Sequence, residues 1–153
     1  MASHSTTLAA NQVMSSPSLH LSFHGTVVLL FALLLGAPYA KAIKANASAQ
    51  VVNSWRVAHQ SLSLGAALMF SVAAVLPMLV RSTAVAWSVA VLFIVSSYSF
   101  CVATPLAAIT EDRGLAAGSL GLARLVYWGN VLGAASSLIA AALLAFAAAS
   151  MLV

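Results

Sequence analysis

The chain predicts an all-α integral membrane protein, a bundle of four transmembrane helices, and three observations carry that reading. It is 63% hydrophobic and only 5% charged, with a mean hydropathy of +1.06, whereas an ordinary soluble domain carries about 25% charged residues. Its eight charges fall in three clusters: Lys41, Lys44 and Arg56; Arg81; and Glu111, Asp112, Arg113 and Arg124. These clusters divide four apolar segments, residues 19–40, 57–80, 83–108 and 125–153. Each exceeds the ~20 residues needed to cross the hydrocarbon core. Four such helices leave no room for a separate soluble domain, so the expected organisation is a polar N-terminus over 1–18 and one membrane domain over 19–153.

Residues 1–18 are rich in Ser and Thr and are expected to be mobile. The first apolar segment carries His20, then Phe23-His24-Gly25 near its start, and should end around Pro38. Ala40-Lys41-Ala42 has the outline of a signal-peptidase site, but no Lys or Arg precedes it, so the segment reads as a retained helix. A polar loop over 41–54 follows, containing the formal glycosylation triplet Asn46-Ala47-Ser48. The second segment opens on Trp55-Arg56-Val57-Ala58-His59 and runs from Gln60 to Val80 without a charge. Pro77 near its end and Pro105 in the third segment read as helix ends or kinks. The third segment also holds the polar patch Ser96-Ser97-Tyr98-Ser99 and the lone Cys101. A turn over 110–114 and a Gly/Ala-rich stretch lead to the last helix, where Gly129-Asn130-Val131-Leu132-Gly133 is a small-xxx-small pattern that permits close helix approach. Five basic residues in the first and third loops, against Arg81 in the second, place those two loops on the cytoplasmic side and both termini outside.

The same inventory excludes several functions. The basic residues sit near membrane interfaces, so the high isoelectric point gives no support to nucleic-acid binding. One cysteine permits neither an intrachain disulfide nor a cysteine metal cluster. No carboxylate lies within any apolar segment, which counts against a proton-relay transporter and an intramembrane aspartyl protease. His-Glu-x-x-His is absent, and no acidic residue stands ready to orient a His–Ser pair. An enzyme built on this chain draws its reactive power from a cofactor.

The candidate functional side chains that border or enter the membrane are few: His20, His24, His59, Tyr98, Tyr127 and Asn130. His20 and His24 share a helix face and suit interfacial hydrogen bonding or metal binding. Trp55 and Arg56 lie four and three residues before His59, on its face. Ring, guanidinium and imidazole there could contact a haem, pair with its propionates and ligate its iron; Trp and Arg are equally ordinary interface anchors. The Tyr98 hydroxyl must find a partner in its apolar helix. Arg124, Tyr127 and Asn130 could line one side of the last helix, Asn130 either joining helices or serving a site.

The chain resembles the styrene oxide isomerase family. The resemblance rests on Trp55-x-x-Ala58-His59 with the ungapped apolar run to Val75-Leu76-Pro77, on His24-Gly25 in the first helix and on Arg113-Gly114-Leu115 before the last, and it spans roughly residues 20–150. It implies a trimer with haem b near subunit interfaces and His59 as the axial iron ligand. The implied reaction is a Meinwald rearrangement, in which an aryl epoxide becomes an aldehyde with ferric haem as Lewis acid. Two positions depart from the family: Gly65 stands where it has a catalytic Asn, six residues after the ligand histidine, and Tyr98 lies farther from Arg113 than the family's helix-three tyrosine.

The resulting expectation is a multi-pass protein of a bacterial inner membrane, a homotrimeric haem b-dependent isomerase of a small apolar epoxide. His59 would bind the metal, Arg56, Trp55, His24 and Arg124 would hold the cofactor, and Tyr98, Tyr127 and Asn130 would act on substrate. A non-catalytic b-type haem protein for electron transfer or sensing is the alternative, and a cofactor-free membrane scaffold a third.

Overall fold

The computed structural model of the chain describes residues 16–113 and 121–152. Five helices follow one another: α1 (Pro17–Leu34), α2 (Gly36–Lys44), α3 (Ala49–Leu79), α4 (Thr83–Thr110) and α5 (Leu122–Ala149). There is no strand among the described residues. Helices satisfy their own backbone hydrogen bonds, which is the condition for crossing a bilayer. α1 and α2 together form one span, Pro17–Lys44, and with α3, α4 and α5 they make four helical spans apolar enough to cross.

Several boundaries differ from the expectation, each for a local reason. The first helix does not end around Pro38. The chain is interrupted at Leu35, whose amide is shared between the carbonyls of Phe31 and Ala32 at 3.2 and 3.1 Å, and then resumes as α2. Pro38 falls in the first turn of α2, where a missing N–H leaves no bond unmade. The expected loop over 41–54 shrinks to 45–48, because Ser48 caps α3 by accepting the Val51 N–H at 3.3 Å. Hydropathy marks where the bilayer ends; capping marks where the helix ends. Pro77 and Pro105 lie within α3 and α4, which continue to Leu79 and Thr110. Pro17 occupies the first position of α1, so the helix starts inside the segment expected to be mobile; residues 1–15 of that segment lie outside the described residues.

The helices do not close into a symmetric bundle. The most extensive seam joins α4 to α5, the next joins α1 to α3, and α3 and α5 barely touch. Small residues explain the first seam. A Cβ added to Gly129 would stand 2.9 Å from Ala103 Cβ, and one on Gly133 would stand 2.9 Å from the Phe100 ring. The small-xxx-small pattern thus serves packing within the chain, reinforced by Ser96 Oγ donating to the Gly133 carbonyl at 2.7 Å. Leu21, Val28, Ala32, Ala58, Leu62, Met69 and Val89 form the core around α1, α3 and α4. α5 leans on α4 alone and leaves a cleft open beside α3.

Candidate functional site

α3 has 31 residues, ~46 Å of helix at 1.5 Å per residue, against a hydrocarbon core of ~30 Å. Its first turns therefore stand in the interface, and His59 lies just inside the apolar run. The side chain is half-buried against α1 and α2. Its Nδ1 lies 2.8 Å from the Ala32 carbonyl oxygen. A carbonyl can only accept, so Nδ1 carries the proton, and in the neutral ring Nε2 is the nitrogen with the lone pair. Gly36 adjoins the ring: a Cβ there would make ordinary contact, 3.6 Å from His59 Cε1. The Tyr39 ring lies nearly parallel to the imidazole at 6.4 Å and 24°. Ala58, fully buried beside it, lets α3 approach α1 closely enough for the hydrogen bond.

Trp55 is half-buried and packs against the core, while exposed Arg56 donates from Nη2 to Asn53 Oδ1. Both occupy the helix face of His59. His24 is placed elsewhere. It sits eight residues before Ala32, ~12 Å along the helix, with Nδ1 2.8 Å from the Tyr98 hydroxyl. The His24 and Tyr98 rings meet edge to face at 5.6 Å, His20 stacks on His24 at 6.3 Å, and Trp87 covers His20 at 5.2 Å. The partner required for the Tyr98 hydroxyl is thus a histidine of the first span, and the structure joins His24 to Tyr98 rather than to His59. No group of three or more His, Cys, Asp or Glu that could hold a metal ion occurs among the described residues. A single imidazole with a free Nε2 suits one axial bond to a metal already held in a macrocycle, and does not suit a bare ion.

The second feature is the cleft between α3 and α5. Its volume is about 490 Å³, and Leu62, Leu64, Gly65, Leu68, Phe93, Phe100 and Asn130 are among its walls. It continues into a polar mouth of about 320 Å³ at Asn53, Ser54 and Arg113. Asn130 Nδ2 donates to the Arg113 carbonyl at 3.3 Å. Tyr127 instead packs edge to face on Trp128 at 5.2 Å, and Arg124 is exposed. Of the three residues expected to share one side of the last helix, Asn130 alone lines the cleft. Glu111 is the left-handed residue after α4 (φ 54°), and its carbonyl accepts from Gln50 Nε2 at 3.2 Å. Glu111 and Asp112 belong to this connection and not to a membrane helix. Gly114 and Leu115 of the expected Arg113-Gly114-Leu115 match lie outside the described residues.

Sequence reasoning did not single out Ala32, Gly36 and Tyr39, which adjoin His59, or Thr104 as a cleft wall, and it marked Gly65 without the cleft that Gly65 lines. Pro38 signalled a disturbed helical ladder, but nothing in the pattern says which side chain comes to meet it.

These features define a class: a four-span helical membrane protein with one tautomer-fixed imidazole, an apolar cleft and no carboxylate in its described spans. A family model described as styrene oxide isomerase matches residues 18–149. The chain belongs to that family. Comparison with curated proteins and with solved structures finds no match.

Proposed function

We propose that the protein is a membrane-bound, haem b-dependent isomerase that converts an aryl epoxide to an aldehyde. Family membership over residues 18–149 supports the isomerase reading. The haem reading rests on one observation, the 2.8 Å bond from His59 Nδ1 to the Ala32 carbonyl. This is the outer hydrogen bond that commonly orients a ligating histidine and raises its basicity. His59 would hold the iron through Nε2, and Trp55 and Arg56, on the same helix face, would offer ring contact and a charge for a propionate. Bound ferric haem would supply a Lewis acid toward the epoxide oxygen.

The remaining roles belong to the chain. The rearrangement is an isomerisation: a C–O bond opens, a hydride moves to the neighbouring carbon, and the oxygen becomes the aldehyde oxygen. It needs no proton donor and no electron donor. Helices without a carboxylate, around a cleft with apolar walls, keep water and bases from intercepting a carbon that becomes electron-poor. His59 holds its Nδ1 proton on Ala32 throughout, since giving it up would break the bond that orients the ring.

We propose that a second copy of the chain completes the site. At 100° per residue, the cleft positions of α3 lie from about 60° (Leu62) and 120° (Gly65) to about 140–180° (Val57, Ser61, Leu64 and Leu68) around the helix from His59. One chain therefore turns most of its cleft wall away from the imidazole, as suits a head-to-tail ring in which the His59 face of one copy meets the cleft of the next. A homotrimer is the assembly we propose.

Turnover by purified ferric protein, without an added electron donor, tests the reading. An epoxide deuterated at the carbon from which hydride migrates should give early product carrying the label on the adjacent carbon. A Soret band without turnover would favour an electron carrier or sensor. Label lost to water at early times would point to proton transfer, with Tyr98 or Tyr127 as the group to test.

A further inference from the structure

A glycine inside a helix weakens it and is ordinarily kept for close packing. Gly25, Gly129 and Gly133 follow that rule: an added Cβ would stand 3.3, 2.9 and 2.9 Å from its nearest neighbour. Gly65 does not. Nothing lies within 4 Å of where its Cβ would sit, although it is well inside α3 and half-buried. What its bare Cα adjoins is the open space of the cleft.

Asn130 lines the same cleft from α5. One amide hydrogen is engaged by the Arg113 carbonyl at 3.3 Å, leaving the second hydrogen and Oδ1 for a ligand. Four of the other polar groups in the walls are committed as donors. Ser96 donates to the Gly133 carbonyl at 2.7 Å, Ser97 to Met69 Sδ at 3.1 Å, Thr104 to the Phe100 carbonyl at 2.8 Å and Ser137 to the Ala134 carbonyl at 3.0 Å. Ser61 is exposed. One directional amide in a pocket of about 490 Å³ walled by Leu62, Leu68, Phe93 and Phe100 matches a specific ligand chemistry: an apolar body with a single acceptor oxygen.

We infer that this cleft binds the substrate, that Asn130 donates the hydrogen bond holding its oxygen, and that Gly65 sets the width of the pocket beside that oxygen. The pocket then accepts ethers and epoxides branched at the carbon bearing the oxygen, and a side chain at position 65 excludes them. The epoxide identity of the ligand rests on the isomerase reading; the width and the hydrogen bond do not.

The test uses the full-length protein and two inert ethers, anisole and tert-butyl phenyl ether, competing with a diazirine-bearing phenyl ether for covalent labelling mapped by mass spectrometry. Wild type should be labelled on α3 or α5 cleft residues, and both ethers should suppress labelling. Gly65→Val, whose Cβ meets no neighbour within 4 Å, should keep its helical spectrum and anisole binding while losing at least tenfold in competition by the branched ether. Asn130→Leu should weaken both ethers by roughly fivefold, the worth of one hydrogen bond. Labelling outside the cleft, or an unchanged ratio of the two ethers in Gly65→Val, overturns the inference. An acyl chain from the membrane filling the groove would also leave that ratio unchanged. Ether binding needs neither haem nor turnover, so its failure is distinct from a failure of wild-type protein to isomerise any epoxide.

Discussion

Replacing His59 separates its structural from its cofactor role, because the structure bounds the first. The imidazole makes one neutral hydrogen bond, to the Ala32 carbonyl at 2.8 Å, worth about 0.5–1.5 kcal/mol net. Ala32 is not orphaned by its loss, since its carbonyl still accepts the Leu35 amide at 3.1 Å. His59→Ala also removes a half-buried ring beside Gly36 and Tyr39, so the total in haem-free protein should be about 1–2 kcal/mol. His59→Asn sets an amide N–H close to where Nδ1 lies and should lose about 1 kcal/mol or less. Against a total stability of roughly 5–15 kcal/mol, both variants remain folded and inserted. Haem retention responds differently: neither side chain offers an imidazole nitrogen, so the Soret band should vanish from both after purification. Absorption spectra, with unfolding of the haem-free proteins in mixed detergent, read the two effects separately. A wild-type Soret band in either variant refutes the assignment of His59 as ligand.

Other substitutions probe the remaining contacts. Gly129→Ala should destabilise the α4–α5 seam by about 1–3 kcal/mol, because the Ala103 Cβ 2.9 Å away is fixed to backbone; Gly133→Ala should lose less, since the Phe100 ring it meets can turn, and detergent unfolding ranks the pair. Tyr98→Phe removes the bond to His24 Nδ1 at 2.8 Å and should lower stability by about 0.5–1.5 kcal/mol with little change in the Soret band, a spectral shift showing that this pair reaches the haem. Glu111→Gln and Asp112→Asn should each retain most turnover, because both lie in the connection after α4 and not in a membrane helix; abolished turnover in a variant that still binds haem would bring a carboxylate into the chemistry.

The spans were legible because a bilayer imposes one severe rule on sequence. Long apolar runs must be helical, and eight charges in 153 residues divide them. Helix ends were less legible: the capping of α3 by Ser48, inside a stretch that hydropathy marks as polar, depends on local hydrogen bonding. His59 stood out as an imidazole at the edge of an apolar run. Its tautomer did not, because Ala32 lies 27 residues earlier and is recognised only when α1 and α3 pack.

What the sequence determined alone was the all-helical membrane class, the four spans, the absence of a carboxylate from the apolar segments and the short list of candidate functional residues within them. These follow from composition and one-dimensional spacing, on which partitioning into lipid depends directly. Only the tertiary structure decided how that list divides: His59 to Ala32, His24 to Tyr98, Asn130 to a cleft facing Gly65. In lipid, helix pairing has no hydrophobic drive of its own and is set by close contacts of small residues. Gly129 and Gly133 draw α5 onto α4, and the cleft exists because that pairing leaves α3 uncovered.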